Sequence, residues 1–126
     1  MKLTRQMFTD TEREALEYLA DGFYPNKAEA IRSAVEKAAS DMGSGKLNGK
    51  DKRLRAGVMG MKSLAIKHGA QEFRMESFPL YLGPDDEKRI RQLRDGMELD
   101  TKRAAVRFAL RRLAEANGFK PSRGMW

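Results

Sequence analysis

Apolar residues recur at helical spacing in four stretches of the chain. Leu16 and Leu19 mark the first, and Ile31, Ala34, Val35 and Ala38 the second. Ile90 and Leu93 mark the third, and Val106, Ala109, Leu110 and Leu113 the fourth. This period follows the α-helical turn and predicts helices over about 10–21, 27–41, 84–95 and 101–117. Short segments at about 3–9 and 77–82 precede the first and third helices and read as strands. Asp21-Gly22 and Asp95-Gly96 stop the first helix of each pair. Asn26, with Glu29 three residues on, is close to a capping box, and Asp100 or Thr101 can cap the fourth helix.

The pattern is a repeat. Phe8 precedes Leu16 by eight residues and Leu19 by eleven, and Leu82 precedes Ile90 and Leu93 by the same intervals. In the first helices Leu16 matches Ile90, and in the second helices Ile31 matches Val106. The second offset is longer by a single position, which marks an insertion in the turn of the second copy. Each copy reads as strand, helix, turn, helix. A unit this short buries too little apolar surface to fold alone, and a single strand lacks a pairing partner. The expectation is therefore a mainly α protein with a two-stranded antiparallel ribbon, the two copies forming one pseudo-symmetric pair. Residues 1–43 and 76–126 are the copies, the second with a short tail. Residues 44–75 are a basic linker carrying a helix.

Charge sharpens this picture. The 126 residues carry a net charge of +7, distributed as −2 over residues 1–43, +6 over 44–68 and +3 over 69–126. Such an excess favours an anionic partner. The absence of cysteine excludes disulfides and thiolate metal sites and fits a reducing, cytoplasmic setting. No apolar run approaches a membrane span, and the first residues lack the apolar core of a signal peptide. The single histidine, His68, has no nucleophile or carboxylate pattern around it. "PDDEKR" at 84–89 is explained by a helix first turn that favours acid. No enzyme, metal site or cofactor is expected.

"NKAEAIRSAV" (26–35), after a short strand and an amphipathic helix, resembles the ribbon-helix-helix (MetJ/Arc) family, and "TKRAAVRFAL" (101–110) is a second match. Two copies in one chain resemble its single-chain members, such as relaxosome accessory proteins of conjugative plasmids. The resemblance covers about residues 2–43 and 76–118. It implies a ribbon that enters the major groove of double-stranded DNA. The N-termini of the second helices, at Asn26-Lys27 and Thr101-Lys102-Arg103, would then clamp phosphates.

Two strand registers are open. If Phe8 and Leu82 face the core, alternation turns Leu3, Arg5 and Met7 outward, with Ser77, Pro79 and Tyr81. Arg5 is then the candidate base reader, with Ser77 and Tyr81 the polar groups of the second strand. The other register turns Lys2, Thr4 and Gln6 outward and Arg5 inward. Pro79 lacks an N–H and suits only an edge, which both strands of a ribbon are. The poverty of polar groups in "SFPLYL" points to recognition of a non-palindromic site.

Between the copies, "GSGKLNGKDK" reads as a flexible linker. Leu54, Val58, Met61, Leu64 and Ala65 then recur at helical spacing among Lys52, Arg53, Arg55, Lys62 and Lys67. This basic helix either packs as a connector or adds phosphate contacts through Lys52, Arg53 and Arg55. Glu12, Glu14, Glu17, Arg111 and Arg112 read as solvated helix faces, and Trp126 as a cover on the core. The functional expectation is a sequence-specific DNA-binding protein, acting as a repressor or as an accessory factor in DNA processing. Partners beyond DNA would be a relaxase, another DNA-processing protein or a second copy on DNA. A protein-interaction module such as an antitoxin is the alternative.

Overall fold

The computed structural model describes residues 1–59, 75–122, 124 and 126. Strand β1 (Lys2–Thr9) leads into helices α1 (Asp10–Gly22) and α2 (Lys27–Gly43). Helix α3 (Gly49–Val58) follows, then β2 (Met75–Leu82), α4 (Pro84–Gly96) and α5 (Lys102–Ala116). The protein is thus mainly helical with one two-stranded antiparallel sheet. Strand–helix–helix occurs twice, as the sequence pattern predicts.

β1 pairs antiparallel with β2, with Arg5 opposite Pro79, Leu3 opposite Tyr81 and Met7 opposite Ser77. Phe8, Leu80 and Leu82 turn inward and are buried, so the first of the two registers is the one formed. Burial of one face selects it, because a one-residue slip would expose this apolar set. Phe8 and Phe78 meet with ring centroids 6.2 Å apart. Beneath the ribbon, Leu16 and Leu19 of α1, Ile31 and Val35 of α2, Ile90 and Leu93 of α4, and Val106, Phe108 and Leu110 of α5 form one core. Helix α5 is buried over an unbroken run, Ala104–Arg111, so it is the central helix rather than a surface one.

The local starts are chemically explicit. The Thr9 hydroxyl accepts from the Glu12 N–H at 3.2 Å, and Glu12 Oε1 accepts from the Thr9 N–H at 2.8 Å. This capping box at α1 lies beyond the caps that the sequence pattern singles out. Asn26 accepts from the Glu29 N–H at 2.8 Å, while the Glu29 carboxylate turns to Arg32. Thr101, not Asp100, caps α5, accepting from the Ala104 N–H at 3.0 Å. The extra residue of the second turn lies in the stretch where Glu98 takes φ +54, and the Leu99 N–H closes back on the Arg94 carbonyl at 2.8 Å.

The linker departs from expectation. Residues 49–52, read as part of a flexible stretch, begin α3. Asn48 accepts from the Lys50 N–H at 2.9 Å, and the Asn48 N–H donates to Asp51 at 2.9 Å. Asp51 also accepts from Arg112 Nε at 2.9 Å, and Arg112 reaches Asp41 of α2 at 2.7 Å. Arg112 therefore fastens α2, α3 and α5 together and is not a solvated residue. Leu54 and Val58 are buried in the core. The continuation of the apolar pattern through Met61, Leu64 and Ala65, together with Lys62, Lys67 and His68, lies outside the described residues.

The tail covers the core as expected. The Phe119 ring lies 5.5 Å from Tyr18 and 5.3 Å from Trp126. The Arg111 guanidinium sits 5.2 Å over the Trp126 ring, and the indole N–H donates to Glu115 at 2.7 Å.

Candidate nucleic-acid interface

The outward face of the ribbon carries Leu3, Arg5 and Met7 from β1 and Ser77, Pro79 and Tyr81 from β2. Arg5, Ser77 and Tyr81 are exposed, and Leu3 and Tyr81 form a cross-strand pair that is 44% and 55% exposed. A single apolar side chain in water needs no explanation, but two side by side on a flat face suit contact with a partner. The second set of candidates does not reach this face. Gln6 is buried and donates from Nε2 to the Thr4 hydroxyl at 3.0 Å. The Thr4 hydroxyl in turn donates to the Leu80 carbonyl at 2.8 Å. Thr4 and Gln6 thus hold the ribbon from inside and are not outward readers. Lys2 shares their parity but is exposed at the strand end.

Two arginines bring the N-terminal parts of the second helices against the ribbon. Arg103 Nε, in the first turn of α5, donates to the Arg5 carbonyl at 2.9 Å. Arg32 Nη2, in the second turn of α2, donates to the Tyr81 carbonyl at 2.7 Å. Each half's second helix therefore docks on the other half's strand. Asn26, Thr101, Lys102 and Arg103 are exposed at these helix starts, and Lys27 is partly so, with Glu17 at 3.9 Å. The first turn of α5 thereby lies beside β1, and the second turn of α2 reaches β2 through the Arg32 side chain. Arg32 is legible as a helix residue, but its reach to Tyr81 depends on the strand pairing.

The basic helix lies elsewhere. α3 docks on the C-terminal half of α5 through the Asp51–Arg112 pair, whereas the ribbon meets the N-terminal turn of α5. Lys52 and Arg53 are exposed there. Arg55 is half-buried and donates to the Met97 carbonyl and, at 3.0 Å, to the Glu98 carbonyl. Its guanidinium serves the turn before α5, so this arginine of α3 is engaged within the fold.

A buried ionic cluster joins the β1–α1 junction to α5. Glu12 is fully buried, not solvated; it accepts from Arg107 Nε at 2.9 Å on both oxygens and from Arg111 Nε at 2.7 Å. Arg111 is likewise buried rather than solvated, whereas Glu14 and Glu17 are exposed. Burial alone would raise the Glu12 carboxyl, but the two guanidiniums and the Thr9 N–H outweigh it and hold the group below the usual carboxylate range. Burial also pulls Arg111 down, with Glu12 opposing. Glu12 lies three and four residues before Ala15 and Leu16, on the same apolar face. That spacing, with Thr9 three residues earlier, is the sequence signal that could have found it.

Among the described residues, no helix is long and apolar enough to cross a membrane. Comparison with protein-family models found no match, and neither did comparison with curated proteins or with solved structures.

Proposed function

We propose that the chain is a tandem ribbon-helix-helix protein that binds double-stranded DNA sequence-specifically. Its halves are related by a pseudo-two-fold axis through the ribbon centre. The offset that relates Leu16 to Ile90 also separates Arg5 from Pro79, which are paired across the strands. Acid–arginine contacts recur at matching positions: Glu12 with Arg107, and Asp86 with Arg32 at 3.8 Å.

The observation that carries the function is the exposed ribbon face whose strands are bonded by the first turn of α5 and the second turn of α2. A two-stranded ribbon fits the major groove, and phosphates of the two backbones would meet the helix starts. Arg5, opposite a proline, is the charged side chain at the centre of that face and suits guanine. Leu3 and Met7 suit thymine methyl groups. Net charge +7 supplies the sequence-independent attraction. Such binding serves a repressor by steric block or a DNA-processing accessory factor by marking a site. Selection of duplexes from a random pool, followed by affinity measured from low to physiological salt, tests this. A recurrent motif bound with a steep salt dependence is expected. No enrichment and an affinity indifferent to salt would falsify it.

A further inference from the structure

The two halves carry different charges at matching interior positions. Glu12 of the N-terminal half is buried against two arginines of the C-terminal half, Arg107 and Arg111. Asp86, the repeat counterpart of Glu12, instead faces Arg32, the counterpart of Arg107, at 3.8 Å. Both of these side chains keep partial solvent access. The counterpart of Arg111 is Glu36, which is exposed. The N-terminal half thus contributes Glu12, Arg32 and Glu36, and the C-terminal half Asp86, Arg107 and Arg111.

Pairing the halves the other way changes these contacts. If the N-terminal halves of two copies paired, each Glu12 would meet Arg32 and Glu36 of the other copy. A carboxylate would replace the Arg111 guanidinium that now lies 2.7 Å from Glu12. A second carboxylate beside the buried Glu12 would repel it, and Glu12 would have lost half its compensation. A dimer joined through like halves needs both pairings, so blocking one blocks the assembly.

We infer that this unequal charge set is a pairing code: the N-terminal half accepts a C-terminal half and rejects the N-terminal half of a second copy. The inference rests on the pseudo-two-fold relation proposed above. The code keeps Arg5 opposite Pro79 rather than opposite a second Arg5, so the ribbon face has a fixed polarity. Specificity of this kind comes from the repulsive contact in the wrong pair as much as from attraction in the right one.

Charge exchange in the full chain tests it without DNA, so its outcome is separate from that of the DNA-binding assay. Arg111→Glu recreates the forbidden contact inside one chain, and Arg111→Gln removes the charge alone. Arg111→Glu should melt at least about 5 °C below Arg111→Gln. Glu36→Arg, at an exposed position, should keep the wild-type melting temperature and mass. The double variant Glu36→Arg/Arg111→Glu gives Glu12 two arginines only in the like-half pairing. It also gives Asp86 there Arg107 and the new carboxylate in place of Arg32 at 3.8 Å, with Arg89 of its own helix kept at 4.0 Å. It should therefore run at twice the 14.3 kDa chain mass, where the wild type runs at one. A folded, monomeric double variant overturns the inference. If the double variant does not fold, the two single variants decide: equal melting of Arg111→Glu and Arg111→Gln overturns it.

Discussion

Arg107 donates from Nε to both carboxylate oxygens of Glu12, 2.9 Å to each, across the junction of the two halves. The same carboxylate accepts the Thr9 N–H at the start of α1. One side chain thus caps a helix, ends a strand and anchors the central helix of the opposite half. Arg107 Nη2 is buried without a hydrogen-bond partner among the described residues, a cost that the two bonds from its Nε to Glu12 must offset.

The pH dependence of stability follows from the lowered Glu12 carboxyl. A depressed folded value stabilises the protein above the unfolded value, about 4.3 for glutamate, and that contribution disappears as pH falls through the folded value. Thermal melts from neutral pH downward should show a loss on the acid side that Glu12→Gln lacks.

Glu12→Gln should also destabilise the neutral-pH fold by about 3–5 kcal/mol, because it strands two buried guanidiniums. Replacing Glu12, Arg107 and Arg111 together by apolar residues of similar volume should cost far less, since no buried charge is then left unpaired. Denaturant titrations of both variants at one pH make the comparison.

Arg112→Ala should loosen the start of α3 while the ribbon and core stay folded, because Leu54, Val58 and the Arg55 bonds still hold the helix. The substitution removes the bonds to Asp41 and to the buried Asp51, an unpaired-acceptor cost of about 1–3 kcal/mol. Amide exchange at the start of α3 should speed up while that of α5 holds.

The DNA-contact assignments separate by type of loss. Lys27→Ala and Lys102→Ala should weaken binding on all sequences and each reduce the salt slope by about one. Arg5→Ala should cost about 1–3 kcal/mol on the selected motif and relax preference at one position. Competition titrations against the motif and against random duplex distinguish the two.

Neither half should fold alone. In β1, Phe8 is buried and meets Phe78 of the paired strand, and Glu12 needs Arg107. Residues 1–48 and 75–126, prepared as separate peptides, should lack cooperative melting, and mixing them should restore helical circular dichroism.

Helix positions are legible in the sequence because their causes are local. Period-3.6 apolar spacing places Ile31, Val35, Val106 and Leu110 in the core, and Asn26 and Thr101 are readable as caps from their own side chains. The antiparallel pairing of the two strands also follows, since neither copy can cover its apolar surface alone. The strand register has two solutions on sequence alone, because alternation has period two and both parities contain plausible outward residues. Tertiary contact chooses between them by burying Phe8, Leu80 and Leu82, which turns Thr4 and Gln6 inward. Charge placement is decided in the same way. A glutamate at the third position of a helix and arginines along another read as solvated when only neighbours in sequence are considered. The acid and its bases lie 95 and 99 residues apart. Only the packing of α1 against α5 removes water from all three and makes them one cluster.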